Sequence, residues 1–346
     1  APTAGLIEDP HGRPTGQAPD ALLPAPAAGH LEGVARFAYD GRRSRLELTE
    51  TRLATSATFL AVAGVIQEKG DSSLRFQLHT SRPEELTAAA YAVTGSQVDL
   101  PVQLAGRASV QGRFDGALDQ PRVAATLDVG AFTHQGRAWD SFSGRVEWSP
   151  RQVRVSGGRL AKGKAAVSLN ATVQLENGRF TATSPLDAEV GVRDAALDDL
   201  SALAGVRLPA TGVVTAQFKL RGSQKDPRGA GSVEVRRGAA WGEPFDSLRA
   251  SLALEDGQVR VSNARLVKGK GAVSGGGAFH PEQRTFQLDL RGDNLSLADQ
   301  RLWAAPDRRL SGNVALAFSG SGSLRADHSL QRLTGEGSLT LRDVAV

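Results

Sequence analysis

An internal repeat is the feature that most constrains how this chain folds. Residues 152–167 (QVRVSGGRLAKGKAAV) recur as residues 258–273 (QVRVSNARLVKGKGAV), 106 positions further along the chain. Pro121 and Pro227 keep the same offset, so the match extends well beyond this motif. Such self-similarity indicates an array of related units rather than two or three unrelated domains.

The repeats divide the chain into units that follow a proline-rich start. A diverged copy comes first, since residues 46–53 (LELTETRL) are similar to residues 153–160. A fourth, incomplete copy is indicated by residues 335–339 (GEGSL), which are similar to residues 229–233 (GAGSV). Residues 1–30 hold six prolines and no hydrophobic period, which is typical of a linker or loop. We expect the units to span residues 31–98, 99–205, 206–306 and 307–346.

Within each unit the apolar residues alternate. Val123, Ala125, Leu127 and Val129 occupy every second position of one segment, and polar residues occupy most of the others. This period is typical of strands with one apolar and one polar face. One unit holds about six such segments, near residues 106–116, 121–132, 140–149, 152–161, 164–176 and 184–193. Short helical connections are expected near residues 81–90, 195–203 and 295–302.

Composition excludes several classes of function. The chain has no cysteine, and its six histidines (positions 11, 30, 79, 134, 280 and 328) lack any paired metal-ligand spacing. The formal charge is only +4 and the basic residues are scattered, which argues against nucleic acid as a partner. No catalytic motif is present, so we predict that the chain is not an enzyme and has neither a cofactor nor a metal site.

Three local motifs have simple structural interpretations. The Lys-Gly-Lys tracts at 162–164 and 268–270 lack the glycine pattern of a phosphate loop, so we predict turns. The glycines at 275–277 fall within a strand pattern and indicate a kink or bulge. Asp194, Asp198 and Asp199 cluster at the second helical connection, where a solvated helix cap is expected.

The apolar face of such strands has to be covered. Short connections favour antiparallel neighbours, so the strands form one meandering sheet whose apolar residues lie on one side. Short helices once per unit are too few to cover it. The sheet either packs on itself as a filled sandwich or solenoid, or curls into an open groove for an apolar ligand. Because alternating Val, Leu and Ala are typical of any half-buried strand, the period alone favours the filled core.

Turn motifs add a resemblance to a known family. The pattern Gly-x-Phe-x-Gly-x-x-x-x-Pro at 112–121 is followed by a strand and then by a Phe-Asp-Ser-Leu type of turn, at 139–142 and 245–248. Together with the strand pair that contains the Arg-Leu-x-x-Gly motif, this order of motifs resembles that of the TamB and AsmA-like proteins, a repeating β-groove group of the bacterial envelope. The resemblance covers about residues 31–346. The family's membrane anchor and C-terminal domain have no counterpart in the chain.

The resemblance implies a fold, a location and a ligand. The fold would be all-β, an elongated and curved antiparallel sheet that forms a taco-like groove from repeats of about 106 residues. The protein would be periplasmic, anchored to the inner membrane through a segment outside this chain. Its groove would carry phospholipid or another acyl-chain ligand between the two membranes, and an outer-membrane β-barrel partner would bind through a part outside this chain.

The predicted groove lining consists of the apolar residues on one side of the alternating segments. The predicted set is Val110, Phe114, Leu127, Val146, Trp148, Val155, Leu169, Val173, Val214, Phe218, Val233, Leu252, Val261, Val273, Phe279, Phe286 and Leu288.

Two other functions remain open at the level of sequence. A scaffold or chaperone for outer-membrane protein translocation and assembly would use exposed sheet edges to receive strands of a client protein. A structural β-array with a self-filled core would need neither an open groove nor a free edge. We also expect the chain to be part of a longer protein, because it begins at Ala1 and has no methionine. No membrane span or signal peptide is expected within the chain itself.

Overall fold

The computed structural model describes residues 31–82, 103–176, 178–206, 208–298, 311–326 and 329–345. The described residues are 75% strand and contain one helix, and 18 of their strands form a large antiparallel sheet that is not closed. The expected all-β, antiparallel class is therefore confirmed. The predicted linker at 1–30 and most of the first helical connection, residues 83–90, lie outside the described residues.

The chain divides into two compact units, the first ending at Ser156 and the second beginning at Gly157. The strands of the first unit are β1 (Glu32–Asp40), β2 (Arg45–Ala54), β3 (Thr58–Gln67), β4 (Ser72–Thr80), β5 (Gln103–Leu104), β6 (Ala108–Gly116), β7 (Arg122–Val129), β8 (Phe132–His134), β9 (Arg137–Trp139) and β10 (Ser141–Ser149). Its part of the large sheet runs β1-β2-β3-β4-β6-β7-β10, with antiparallel neighbours throughout. The short strands β5, β8 and β9 form a separate three-stranded sheet.

The second unit is a longer meander. After β11 (Gln152–Lys162), which contains the division, come β12 (Ala165–Gln174), β13 (Leu186–Ala196), α1 (Leu197–Leu203), β14 (Ala210–Gly222), β15 (Pro227–Ala240), β16 (Glu243–Glu255), β17 (Gln258–Lys268), β18 (Gly271–His280), β19 (Thr285–Ser296), β20 (Ser311–Leu324) and β21 (Leu330–Ala345). Each strand from β12 to β21 pairs antiparallel with the next.

The six strands predicted for one unit correspond to β6, β7, β10, β11, β12 and β13. The second helical connection contains α1, although its first two residues, Ala195 and Ala196, extend β13. The third begins as strand instead, because Leu295 and Ser296 belong to β19, and residues 299–302 lie outside the described residues. A helix as short as α1 depends on packing more than on helix propensity.

The predicted Phe-Asp-Ser-Leu turn at 245–248 is wrong. These residues lie inside β16, and the hairpin turn comes earlier, at Trp241 and Gly242, whose φ angles are +48° and +82°. Two successive residues in the left-handed region form the tight turn that suits the twist of antiparallel strands. Phe245 is thereby placed in the strand, where its side chain is buried. The two predicted Lys-Gly-Lys turns are hairpin turns, as expected.

Bulges bend strands of the second unit near one margin of the sheet. The register shifts between Val192 and Ala195 on β13, and Asp194 within this bulge has a φ of +50°. An equivalent shift precedes Leu295 on β19, where Asn294 has a φ of +53°. Asp and Asn tolerate this conformation better than most residues. Ala195 and Leu295, which directly follow the bulges, are 1% and 8% exposed, so the bulges direct the strand ends into buried positions.

A candidate apolar groove

One face of the first unit carries apolar side chains in continuous rows across the strands. The register joins one residue from each of seven strands into a single row, namely Phe37, Leu48, Gly64, Leu74, Phe114, Val123 and Trp148. Two neighbouring rows contain Val62, Phe76, Gly112, Ala125 and Val146, and Leu53, Leu60, Leu78, Val110 and Leu127. Opposed residues of an antiparallel sheet project from the same face, so these rows form one apolar surface.

The second unit has the same arrangement over ten strands. One row runs from β12 to β21 through Leu169, Val190, Phe218, Gly231, Leu252, Val261, Gly277, Leu288, Gly320 and Gly335. A parallel row joins Ala171, Ala188, Leu220, Gly229, Leu254, Val259, Phe279, Phe286, Gly322 and Leu333. Each strand contributes to both rows, so the apolar face extends across the unit without interruption.

The structure places the predicted lining residues on these faces. In the first unit Val110, Phe114, Leu127, Val146 and Trp148 share one face. In the second unit, eleven predicted residues from Leu169 to Leu288 fall on one face. Val155 is half-buried in β11. Whether these residues line a lipid groove stays a prediction.

The apolar faces are half-buried instead of forming a sealed core. Of the predicted lining residues Val214 alone is buried, and the other sixteen retain intermediate exposure. A filled core normally reduces the exposure of large aliphatic side chains to a few per cent. Here side chains such as Leu169, Leu252 and Leu288 have neighbours along the sheet but remain accessible from above it.

Full burial in the second unit is concentrated at a margin of the face. Val214, Val235 and Phe245 form a buried cluster, and Leu197 and Leu200 of α1 pack against it. A second cluster consists of Leu295, Leu297 and Val314, which is 1% exposed. The helix and the bulged strand ends therefore cover a strip of the face, and the middle of the strands stays open.

Sequence reasoning missed the glycines of this face. Gly112 lies opposite Phe76, and a Cβ built on Gly112 would come within 2.6 Å of Phe76 Cζ. Gly322 stands in the same relation to Phe286, again with 2.6 Å to Cζ. The missing side chains let each ring lie over the neighbouring strand. Hydrophobic periodicity does not reveal such positions, because glycine has no side chain to contribute to the pattern.

The opposite face of the second unit is polar and carries cross-strand ion pairs. Arg221 contacts Asp187 at 3.1 Å, and Lys219 on the same strand contacts Glu189 at 3.7 Å. Arg249 of β16 pairs with a glutamate of β15 at 3.1 Å. These groups are largely exposed, so each pair contributes little stability, but together they keep this face in contact with water.

The lysine motifs have structural roles at the sheet margin. Lys162 Nζ lies 2.9 Å from Asp199 Oδ1 of α1, and Lys268 pairs with Glu243 in a similarly shielded position. The expectation of a solvated cap is wrong for Asp199, which is 7% exposed. Its burial follows from the contact with Lys162, which lies 37 positions earlier in the chain. No local sequence pattern predicts this contact.

The glycines at 275–277 permit close approach between strands. The bulge lies opposite them on β17, between Val261 and Ala264, while the register with β19 is regular. A Cβ on Gly276 would lie 2.8 Å from the carbonyl oxygen of Val261. On the polar side, the lining of a recess in this region includes two arginines, Arg260 and Arg291, and two acidic residues, Asp289 and Glu336.

Comparisons with known proteins add no family assignment. No family model matches the chain, and no curated protein or solved structure shows significant similarity to it. Within the described ranges, no three histidine, aspartate or glutamate side chains are grouped as metal ligands would be. In the same part of the chain no helix has the length and hydropathy needed to cross a membrane.

Proposed function

We propose that this chain is a segment of a periplasmic, TamB-like or AsmA-like bridge protein whose apolar β-face carries phospholipid acyl chains between the inner and outer membranes. The observation that supports this proposal most directly is the half-exposed state of the apolar rows. An aliphatic surface that stays accessible along many successive strands is suited to an elongated apolar ligand. A self-filled array would have no need to leave such rows accessible.

The physical benefit of such a surface is large. A lipid tail in water exposes apolar area at a cost of about 0.8 kcal/mol per CH₂ group, so a sixteen-carbon chain faces a barrier of roughly 12 kcal/mol. Contact with aliphatic side chains on one flank removes a substantial part of this cost. The polar face and its ion pairs remain in water, so the protein stays soluble while its other face is occupied.

The composition of the rows suits movement as well as binding. Valine, leucine and phenylalanine recur from strand to strand, and the rows contain no charged residue. No position in these rows offers a hydrogen bond or an ion pair to a lipid tail. The affinity of the apolar face for acyl chains should therefore vary little along the strands. A ligand could then advance without meeting a deep trap.

Native mass spectrometry with lipid extraction tests this function on the full chain expressed with periplasmic targeting. The wild type should carry co-purified phospholipid. The double variant Leu169→Asp and Leu288→Asp should lose it while the far-ultraviolet circular dichroism stays unchanged, because both side chains are accessible from the face.

The matched control places the same charges on the other face. Ser168 and Gln287 are exposed neighbours of the two leucines and point to the polar side, so Ser168→Asp with Gln287→Asp should leave the bound lipid unchanged. A lipid-free wild type that the leucine variants unfold would instead identify the face as a closed core. Equal loss of lipid in both double variants would also contradict the proposal.

A further inference from the structure

Arginines are concentrated on the polar face of β16, β17 and β19. The register places Arg249 opposite Arg265, and Ser274 of β18 lies between Arg265 and Arg291, so these four residues form one row. All three arginines are exposed. Each of the four strands pairs with a neighbour on both sides, so the row lies in the interior of the sheet.

The row carries positive charge that the neighbouring side chains do not neutralise. Arg249 pairs with Glu234 of β15 at 3.1 Å. Arg265 and Arg291 have no ion pair with any residue that the structure describes. Like charges directly opposite each other, such as Arg249 and Arg265, destabilise an antiparallel pair of strands. A bound anion would remove this repulsion.

Ser274 lies between the two arginines that lack ion pairs. Neighbouring strands are about 4.8 Å apart, so Arg265 and Arg291 begin roughly 10 Å from each other, on either side of this short side chain. Ser274 Oγ makes a long hydrogen bond, 3.5 Å, to the carbonyl oxygen of Arg291, and the hydroxyl can turn to donate to an anion instead. Two guanidinium groups and a hydroxyl are donors that suit a phosphate group.

The recess on the polar face provides room for the rest of such a ligand. Ser274 and Arg291 belong to its lining, together with Arg260, and its volume is about 940 Å³. This volume is sufficient for a small molecule. The lining also contains hydroxyl and amide side chains, namely Ser262, Gln287, Ser319 and Ser338. Groups of this kind both donate hydrogen bonds to hydroxyl groups and accept them, as a sugar requires.

Two carboxylates limit the charge that the site accepts. Asp289 and Glu336 also line the recess. Asp289 precedes Arg291 by two residues on the same face of β19, and the register aligns it with Glu336 through Ser319. These carboxylates repel an extended polyanion. The position between Arg265 and Arg291 is left for a single phosphate group.

We propose that Arg265, Ser274 and Arg291 bind the phosphate group of a small soluble phosphate monoester, such as a sugar phosphate, and that the recess holds the remainder of the ligand. A phosphate monoester carries about −1.5 to −2 charges at pH 7, which two guanidinium groups balance. The three residues alternate with apolar ones on their strands and point away from the apolar rows. The proposal is therefore independent of acyl-chain binding.

Isothermal titration calorimetry with glucose 6-phosphate tests the site on the full chain. We expect the wild type to bind it, and the double variant Arg265→Gln with Arg291→Gln to bind at least tenfold more weakly with an unchanged circular dichroism spectrum. Glucose without the phosphate should not bind. The matched control is Arg159→Gln, which changes an exposed arginine 106 positions before Arg265, where Ser168 faces Gly191 instead of an arginine. This control should keep the affinity of the wild type.

The charge of Asp289 provides a second readout. Asp289→Asn should strengthen the binding of glucose 6-phosphate several-fold, because it removes a carboxylate close to the phosphate group. Unchanged or weaker binding in this variant would contradict the proposed position of the phosphate. A folded wild type that does not bind glucose 6-phosphate would overturn the proposal, as would equal losses in the double variant and in Arg159→Gln. Binding to phosphatidic acid vesicles without binding of the soluble ester would also overturn it, because the site would then take a membrane headgroup.

Discussion

Phe218 on β14 lies directly across from Gly231 on β15, and its ring occupies the space that a side chain at Gly231 would need. The contact covers glycine backbone with an aromatic surface and keeps the ring close to the sheet. Several such pairs recur on the apolar faces, where each aromatic ring lies flat over a glycine of the neighbouring strand.

Substitution at Gly231 should be costly. Gly231→Ala would press a methyl group against Phe218 and the backbone of β14, so we expect a loss of about 1–3 kcal/mol in the free energy of unfolding. Chemical denaturation measures the change. The control Gly41→Ala meets only Tyr39 Cε1 at 3.6 Å and should be close to neutral. Equal effects at the two glycines would show that the aromatic contact does not constrain the sheet.

The location of buried packing can be tested with two matched substitutions. Val214→Ala removes a side chain that is 4% exposed and should cost about 2 kcal/mol in stability. Val261→Ala, on the half-buried middle of the face, should cost less than about 1 kcal/mol. Urea denaturation compares the two. A larger loss at Val261 would mean that the middle of the face is covered.

The contact between Lys162 and Asp199 should stabilise the position of α1. Asp199→Ala leaves the lysine without this carboxylate, and we expect a loss of about 1–3 kcal/mol. A double-mutant cycle with Lys162→Met separates the pair interaction from the effect of each side chain. Additive losses in the cycle would contradict a direct contribution of this ion pair.

The hairpin at Trp241 has an unfavourable residue in a left-handed position. Trp241 has a φ of +48° and is 81% exposed, so its side chain gains little from packing. Trp241→Asn should stabilise the chain by about 0.5–1 kcal/mol, because asparagine tolerates this conformation and favours such turns. Thermal unfolding detects the shift. A lower midpoint in the variant would indicate that the exposed indole makes a contact that matters for folding.

The sequence predicted the strands because their alternation is local and strong. Val123, Leu127 and Leu169 could be assigned to one face from period alone, and the structure places them on apolar faces. The short strands β8 and β9 were not predicted, because three residues carry no measurable period. The turn at Trp241 and Gly242 was not predicted, because tryptophan is an unusual residue for a left-handed position.

Features that depend on distant contacts were beyond local reasoning. Burial of Asp199 requires Lys162 to reach it from another strand. Whether an alternating face is open or filled depends on what lies above it. Neither period nor composition contains that information.

Site-specific photo-crosslinking to phospholipid tests the central claim most directly. A photoreactive amino acid replaces Leu252 or Leu288 on the apolar face, and Ala253 or Gln287 on the polar face, in cells grown with labelled phospholipid. The account predicts labelled adducts at both leucine positions and none at their neighbours. Adducts at all four positions, or at none while the protein is folded, would contradict an apolar face that carries acyl chains.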